Sequence, residues 1–211
     1  MPLEVRTFPT GLMMANCYLL IDEQTKHTAI VDPGDSNERL AGIIKDLNLI
    51  PTMILITHAH FDHIFGCGYF KSLYPSLKIY CHKLDFNLWT TNPTVALRFG
   101  FNTPDDFQDQ PDLELQSEIN IGNSKLKVLN TPGHTKGSVV FICEEQKFAL
   151  TGDTLFAEGI GRTDTEGGSY RDMNESIQLL EKVLGDDYIV YPGHDQEEKS
   201  GIALEFAKEC F

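Results

Sequence analysis

Three histidines and one aspartate fall within six residues, His58-Ala59-His60-Phe61-Asp62-His63, and this motif restricts the fold more than any other part of the chain. It follows a short apolar run at residues 53–56 that predicts a buried strand. Side chains two residues apart in extended backbone point to the same side, so His58 and His60 can face one ion from the end of that strand. Asp62 and His63 come one turn later, where we predict that a helix begins, and can face in a second direction. Polar groups this crowded cannot satisfy one another alone, which favours a role as metal ligands.

Three further candidate ligands each follow a predicted strand and a glycine. His134 lies in the segment TPGH, Asp153 in TGD and His194 in YPGH. The glycine lets the backbone turn sharply and bring the next side chain close to the cluster. Imidazole nitrogens and carboxylate oxygens suit zinc, iron or manganese better than calcium, which prefers oxygen ligands alone. We interpret the two other histidines, His27 and His82, as ordinary capped or solvated residues.

The rest of the chain predicts an α+β fold with an internal repeat. Two predicted hairpins, at residues 17–31 and 138–150, each join two apolar strands by a short polar turn and end in an aspartate beside glycine. We predict one helix at residues 40–47, capped by Asp35 or Ser36, and another at residues 174–184. Two sheets packed face to face, with helices outside, would bury this many short apolar strands. We therefore predict one domain that spans residues 1–211.

Residues 83–112 do not continue this pattern of predicted strands and helices. They contain several prolines, no clear period and the aromatic residues Phe86, Trp89, Phe99, Phe101 and Phe107. We predict a loop-rich insertion near the active site, in which the aromatic side chains form either an ordered lid or a small hydrophobic core of their own.

Charge and cysteine content restrict the partners and the compartment. The 211 residues carry 17 basic and 31 acidic side chains, and the net charge of −14 argues against a nucleic-acid or anionic-membrane partner. No run reaches the roughly 18 apolar residues that span a bilayer. Pro9 and Gly11 interrupt the apolar stretch near the N-terminus, so we expect no signal peptide. Five dispersed cysteines without a CxxC pair indicate a reducing compartment, and we predict a cytoplasmic protein.

The segments THAHFDH, PGHT, TGDTLF, GIGRTD and YPGH together resemble the metallo-β-lactamase-fold hydrolases, and in particular the single-domain proteins related to glyoxalase II (hydroxyacylglutathione hydrolase). The resemblance covers the chain from the first hairpin to about His194. It implies a four-layer αββα sandwich, in which two sheets are flanked by helices. It also implies a binuclear site in which one metal ion is held by His58, His60 and His134, the other by Asp62, His63 and His194, and both by the bridging Asp153.

Such a site implies hydrolysis of an activated carbonyl. Two divalent ions, expected to be zinc with iron or manganese as alternatives, would share a water and lower its pKa from about 15.7 toward neutrality. The hydroxide would be the nucleophile, with Asp153 and Asp62 as the catalytic carboxylates that bridge the ions and orient it. A thiolate leaving group suits zinc, so the predicted substrate is a small-molecule thioester of the S-acylglutathione type. Asp32, Thr57 and Asp164 are the candidates for fixing the imidazole tautomers.

Arg162, in the segment GIGRTD, is the predicted substrate-binding residue. In glyoxalase II a basic residue at the matching position contacts the glutathione part of the substrate, and the alternative is a surface arginine in an ion pair. A tyrosine that contacts glutathione in that family is replaced here by Gln196.

Other functions of the same fold stay open at this point. A persulfide dioxygenase shares the GRTD segment and uses one iron held by two histidines and a carboxylate, so the metal content would distinguish it. A non-catalytic metal-binding protein is a second alternative. A β-lactamase, many of which have a cysteine in the place of Asp153, and a nuclease, which needs a basic surface, match the sequence less well. The oligomeric state is not predicted.

Overall fold

The computed structural model describes residues 2–107 and 110–211, and within them two mixed six-stranded sheets form. The strands of the first sheet follow the order of the sequence: β1 (Leu3–Thr10), β2 (Ala15–Asp22), β3 (His27–Val31), β4 (Ile50–Leu55), β5 (Lys78–Cys81) and β6 (Leu113–Glu114). β1, β2 and β3 pair antiparallel, whereas β3 to β6 run parallel. β2 and β3 form the first predicted hairpin.

The second sheet repeats this plan. Its half of the chain contains β7 (Glu118–Ile121), β8 (Ser124–Asn130), β9 (Val139–Cys143), β10 (Phe148–Gly152), a separate ribbon of β11 (Leu155–Phe156) and β12 (Gly159–Ile160), β13 (Ile189–Pro192) and β14 (Glu198–Lys199). The strand order in the sheet is β14-β13-β10-β9-β8-β7. β9 and β10 form the second predicted hairpin, and β10 pairs in parallel with β13 as β3 does with β4.

The helices are α1 (Glu38–Asp46), α2 (Phe61–Ile64), α3 (Cys67–Leu73), α4 (Phe86–Arg98), which follows a 3-10 turn at Lys83–Asp85, α5 (Tyr170–Val183) and α6 (Ser200–Lys208). Two predicted helix starts are wrong. The side chain that caps α1 is Asn37 rather than Asp35 or Ser36, and α5 begins at Tyr170 rather than at residue 174, capped by the Ser169 hydroxyl. Among the described residues, no helix combines the length and the apolar character needed to cross a membrane.

The prediction of a loop-rich insertion at residues 83–112 is wrong for residues 86–98, which form α4. The buried face of α4 consists of Leu88, Trp89, Asn92 and Ala96, whose spacing is helical. The polar Asn92 and the internal Pro93 hide this period in the sequence. Packing of the face into the core outweighs the tendency of proline to break a helix. Trp89 is therefore a core residue and not part of a lid, and residues 108 and 109 lie outside the described residues.

Successive side chains of a strand point to opposite faces of its sheet, so each sheet can pack on both of its faces. In β2, Tyr18 and Leu20 face the second sheet and pack in one core with Phe141, whereas Leu19 packs against helices α1 to α4. In β9, Phe141 faces the first sheet and Val140 faces α5 and α6. The layers are therefore helices, sheet, sheet and helices, and the predicted αββα sandwich of the α+β class is confirmed.

The predicted ligands come together where strands of both sheets end. β4 leads into residues 57–63, β8 into residues 131–134, β10 into Asp153 and β13 into His194. The two sheets are joined at this edge, because the Val139 N–H donates a hydrogen bond to the Thr57 carbonyl at 2.9 Å. The sandwich thus presents loops from both halves of the chain to one site.

Candidate metal centre

Three imidazoles lie together at the end of β4 and in the loop after β8. His58, His60 and His134 each offer a ring nitrogen, and these atoms lie within 4.8 Å of one another. His134 Nε2 and His60 Nδ1 are 2.8 Å apart. The His58 ring stands edge-on to both of these rings, with ring centres 4.8 Å away. The structure therefore brings together the first of the two ligand groups that the resemblance implied.

Asp62, His63 and His194 form the second group, and their ligand atoms also lie within 4.8 Å of one another. Asp62 and His63 belong to the first turn of α2, which starts directly after the first group, and His194 follows β13. Asp62 Oδ2 is 3.4 Å from His194 Nε2 and 3.8 Å from His63 Nε2. One short motif thus contributes side chains to both groups.

The Asp153 carboxylate lies between the two groups. Its Oδ2 atom is 3.5 Å from His134 Nε2 and 4.0 Å from His58 Nε2 in the first group. The same oxygen is 3.6 Å from His194 Nε2, and Oδ1 is 3.5 Å from His63 Nε2, in the second group. A single carboxylate therefore faces imidazoles of both groups, as a bridging ligand would.

Hydrogen bonds to the outer ring nitrogens orient the imidazoles. His134 Nδ1 donates to the backbone carbonyl of Arg162 at 2.7 Å, and His63 Nδ1 donates to Asp32 Oδ2 at 3.1 Å. Because each Nδ1 carries a proton, Nε2 is the atom of each neutral ring that can bind a metal, and it faces Asp153.

Asp32 and Thr57, two of the predicted supporting residues, act together. The Thr57 hydroxyl and N–H donate to the two oxygens of Asp32, at 2.5 and 2.7 Å. Since the hydroxyl proton points at Asp32, Thr57 Oγ1 accepts a hydrogen bond from His58 Nδ1 at 3.1 Å. Asp32 has a φ of 48°, in the left-handed region that aspartate tolerates better than most residues. The third predicted supporting residue, Asp164, instead pairs with the guanidinium of Arg162.

The two groups differ in their electrostatics. Burial, together with neighbouring imidazoles, lowers the pKa of His58 and lowers that of His60 to about 3. Burial acts in the same direction on His63, but the carboxylates of Asp153 and Asp62 outweigh it and raise the pKa of His63 to about 10. Burial would raise the pKa of Asp62, yet the adjacent imidazoles hold it below its usual range. His58 and His60 thus offer neutral nitrogen donors, whereas the second group stabilises positive charge.

The cluster meets the requirements of a divalent metal site. Three buried atoms, His58 Nε2, His63 Nε2 and Asp153 Oδ1, have no hydrogen-bond partner in the part of the chain that the structure describes. Buried polar atoms are rarely left in this way unless an ion or water satisfies them. Ligand atoms bound at about 2.0–2.2 Å to one tetrahedral ion lie roughly 3.5 Å apart. The distances between carboxylate and imidazole atoms here, 3.4 to 4.0 Å, are similar. Nitrogen and oxygen donors of this kind suit zinc, iron or manganese.

Two glycines allow the strand ends to approach this closely. A Cβ atom at Gly193 would overlap with Asp153 Oδ1, and one at Gly152 would overlap with Thr57 Oγ1. Gly152 also has a φ of 48°, which side-chain-bearing residues rarely adopt. The glycines that precede Asp153 and His194 therefore have the role that the sequence pattern predicts.

Asp85 is a buried residue of the site that the sequence analysis did not identify. Its carboxylate accepts hydrogen bonds from the Ala59 N–H at 3.0 Å, the Thr135 hydroxyl at 2.8 Å and the Gly137 N–H at 2.7 Å. Nearby, the Asn92 side chain donates to the Ala59 carbonyl. Asp85 thus joins the loop that carries His58 and His60 to the loop that carries His134. Its partners are 26, 50 and 52 residues away, so no local pattern distinguishes it.

A cavity of about 680 Å³ opens beside the cluster. Its lining includes members of both ligand groups and the apolar residues Met13, Phe61, Leu88, Val95, Phe99 and Phe156. Arg162, the predicted substrate-binding residue, also lines the cavity. Its guanidinium makes a two-point ion pair with Asp164, at 2.7 and 2.9 Å. The ion pair that the alternative interpretation of Arg162 predicts is therefore present as well.

Comparisons with known proteins agree on one family. The sequence model described as Metallo-beta-lactamase superfamily matches residues 10–194, which include every candidate ligand. Hydroxyacylglutathione hydrolase GloC of Haemophilus influenzae is 35% identical over 194 residues, which cover 91% of each protein. The crystal structure of the B3 metallo-beta-lactamase BLEG-1 has a TM-score of 0.85 and 30% identity, and covers 96% of this chain and 97% of its own. TTHA1623 in a di-iron-bound form has the same TM-score and identity, with coverage of 96% and 98%.

Proposed function

The chain belongs to the metallo-beta-lactamase superfamily, and on this basis we propose that it is a binuclear metal-dependent hydrolase of small thioesters of the S-acylglutathione type. The observation that carries the proposal is the position of Asp153. Its carboxylate faces imidazoles of two separate ligand groups at 3.5 to 4.0 Å, and one of its oxygens is buried without a hydrogen-bond partner. A carboxylate in this position suits two ions better than one.

The ligand assignment follows the two groups. His58, His60 and His134 would hold one ion, Asp62, His63 and His194 the other, and Asp153 both. Divalent ions held there would polarise the substrate carbonyl and lower the pKa of a water molecule. We expect zinc, and the di-iron form of TTHA1623 makes iron the main alternative.

The chain's own side chains contribute orientation. Asp32 accepts hydrogen bonds from His63 and Thr57, and the Arg162 carbonyl accepts one from His134. These hydrogen bonds fix ring nitrogens toward the cluster. Asp62 lines the cavity, and its carboxylate can accept a hydrogen bond from an attacking water. Fixed groups of this kind need not reorganise during the reaction, which lowers the barrier.

Thioesters are the proposed substrates for two reasons. The relative GloC, 35% identical, is described as a hydroxyacylglutathione hydrolase. The cavity combines the metal centre with an apolar lining and with Arg162, a cation that can contact an anionic thiol portion such as glutathione. We propose a cytoplasmic location because all five cysteines are free, and we expect neither a nucleic acid nor a membrane as partner.

The test combines elemental analysis with a hydrolysis assay on S-D-lactoylglutathione. We expect two metal ions per chain and metal-dependent release of the thiol. Asp153→Ala and His60→Ala should lose turnover and metal, since a missing ligand leaves the remaining ones poorly held. Asp105→Ala and His27→Ala, which remove the same residue types outside the site, are the matched controls and should behave as the wild type.

The other outcomes would either contradict the proposed mechanism or identify a different function. Full activity in a verified metal-free Asp153→Ala protein would contradict the mechanism. One iron per chain with oxygen uptake on a persulfide would identify a dioxygenase. A metal-loaded protein that is inert on thioesters, lactones and persulfides would be a non-catalytic metal-binding protein.

Hydrolysis of β-lactams is the second candidate function. It is favoured by the similarity to BLEG-1, which is described as a B3 metallo-beta-lactamase and is 30% identical over nearly the whole chain. A β-lactam substrate in the same assay would decide between the two, because the preferred substrate has the higher kcat/KM.

A further inference from the structure

Arg98 is an exposed cation in the cavity wall that the proposed function leaves without a role. It is the last residue of α4, and it lines the same cavity as the metal-binding candidates. In the residues that the structure describes, its guanidinium has no ion-pair partner, whereas that of Arg162 is held by Asp164. Of these two cavity arginines, Arg98 is therefore the one whose charge is not already neutralised.

Three of the five arginines, Arg6, Arg162 and Arg171, have a carboxylate partner among the described residues. Arg39 and Arg98 have none there, and of these two only Arg98 lines the cavity. Arg98 lines the cavity, and the planar set of N–H donors of a guanidinium matches the two oxygens of a carboxylate. The cavity thus contains a cation suited to an anionic ligand.

Apolar surface surrounds this cation. Val95 lies one turn before Arg98 on α4, and Phe99 follows it; all three line the cavity. Phe99 is 60% exposed, and its ring centre is 6.2 Å from that of Phe61, at the start of α2. An exposed phenylalanine next to an unpaired arginine suits a ligand that has an apolar segment beside its anionic group.

The position of α4 relates Arg98 to the loop that carries two of the candidate ligands. Asn92 donates a hydrogen bond to the carbonyl of Ala59, which lies between two candidate ligands. Arg98 follows Asn92 by six residues, about 9 Å along the helix axis. Arg98 is therefore nearly two turns along α4 from the residue that contacts the ligand loop.

We propose that Arg98 is a substrate-binding residue that contacts a carboxylate at the far end of the substrate, while Val95, Phe99 and Phe61 contact the apolar segment in between. This inference rests on the proposed function and narrows it to anionic thioesters with an apolar segment. The carboxylate can belong either to the thiol portion, as in glutathione, or to the acyl portion, as in a dicarboxylic acyl group.

Three thioesters distinguish a carboxylate on the thiol portion from one on the acyl portion. S-hexanoylglutathione is anionic on the thiol side, the adipoyl thioester of N-acetylcysteamine is anionic on the acyl side, and the hexanoyl thioester of N-acetylcysteamine is neutral. Arg98→Ala should raise KM about tenfold for the anionic substrate whose carboxylate it contacts, with kcat little changed. The neutral thioester should be unaffected. Arg171→Ala, which removes an exposed arginine of α5 outside the cavity, is the matched control for net charge and should change none of the three.

The result that overturns the inference is an Arg98→Ala protein whose KM is unchanged for both anionic thioesters, or changed equally for all three. A basic residue in the last turn of a helix also interacts with the helix dipole. That role alone would lower thermal stability without any preference for charged substrates, so it gives one of these two results.

A binding measurement keeps this test separate from the proposed function. S-hexylglutathione is a thioether that cannot undergo thioester hydrolysis, and calorimetry gives its Kd for each protein. If the wild type hydrolyses no thioester, the proposed function fails while Arg98 is still tested. Binding about tenfold weaker in Arg98→Ala but not in Arg171→Ala supports a contact with the thiol portion. Equal Kd values in all three proteins overturn that contact, and equal Kd values for the adipoyl thioester of N-acetylcysteamine as well overturn the inference.

Discussion

The carboxylate of Asp85 accepts a hydrogen bond at 3.0 Å from the backbone N–H of Ala59, the residue between two candidate metal ligands. The same carboxylate accepts hydrogen bonds from Thr135 and Gly137, which follow His134 in the chain. One buried side chain therefore sets the distance between the two loops that make the first ligand group. This role differs from that of Asp32, which contacts an imidazole directly.

We predict that Asp85→Asn weakens metal binding at the first group. An amide has only one oxygen, so at least one of the three donors loses its acceptor, at a cost of about 1–3 kcal/mol in the free energy of unfolding. Displacement of the loops should weaken zinc binding about 10- to 100-fold, as changes outside the ligand shell commonly do. Chelator competition measures the affinity, and urea denaturation of the metal-free protein measures the stability. The exposed Asp105→Asn is the control, and unchanged zinc affinity in Asp85→Asn would limit Asp85 to a structural role.

Gly193→Ala tests the close approach of β13 to the bridging carboxylate. The added methyl group would overlap with Asp153 Oδ1, so either the carboxylate or the strand end must shift. We expect loss of at least one metal ion per chain in elemental analysis and loss of turnover. Gly42→Ala, on α1, adds a methyl group where nothing lies within 4 Å and should retain full metal content. A Gly193→Ala protein with two ions and normal activity would show that the site is less closely packed than this structure.

Asp22 joins the two halves of the sandwich away from the site. Its Oδ1 atom accepts hydrogen bonds from the N–H and hydroxyl of Thr25, and its Oδ2 atom accepts from the Asn123 N–H and the Ser124 hydroxyl. Burial by itself would raise the pKa of Asp22, but these hydrogen bonds outweigh it and hold the pKa at about 2. The β2–β3 turn and the β7–β8 turn are therefore connected through an ionised carboxylate.

The pH dependence of stability follows from the sign of that shift. The folded-state pKa of Asp22 is below its unfolded value, so its contribution is complete above about pH 4 and is lost as the pH falls toward 2. We expect Asp22→Asn to lower the free energy of unfolding of the metal-free protein by about 1–3 kcal/mol at pH 7. The difference from the wild type should shrink between pH 4 and pH 2. Urea denaturation across this range, with the exposed Glu23→Gln as control, measures it, and a difference independent of pH would contradict the assignment.

Much of the site could be predicted because its pattern is local. The two histidines at the end of β4, and the glycine before each later ligand, are properties of short segments, and the β2–β3 and β9–β10 hairpins follow from apolar runs between polar turns. The convergence of the four segments came from the resemblance to a known family and not from spacing.

The features that were not predicted depend on distant contacts. The sequence predicts a loop where α4 forms, because the buried face of the helix includes the polar Asn92 and because Pro93 stands in its interior. Only packing against the core shows that the period is helical. Asp85 has no local signal because its partners are far along the chain. The predicted start of α5 at residue 174 is wrong because the Ser169 hydroxyl caps the helix and it begins at Tyr170.

The ion pair between Arg162 and Asp164 leads to the last prediction. If Arg162 contacts an anionic substrate, Asp164 competes with that substrate for the guanidinium, because both of its oxygens are engaged at 2.7 and 2.9 Å. Asp164→Asn should then lower KM for S-hexanoylglutathione about two- to fivefold and leave KM for the neutral hexanoyl thioester unchanged. Arg162→Ala should raise KM for the glutathione thioester, and adding Asp164→Asn to it should have no further effect, since the competition requires both partners. Thermal stability should hardly change in any of these proteins, because the pair is exposed. The same decrease in KM with and without Arg162 would assign the effect to the general reduction of negative charge at the cavity, and would exclude Arg162 as the contact.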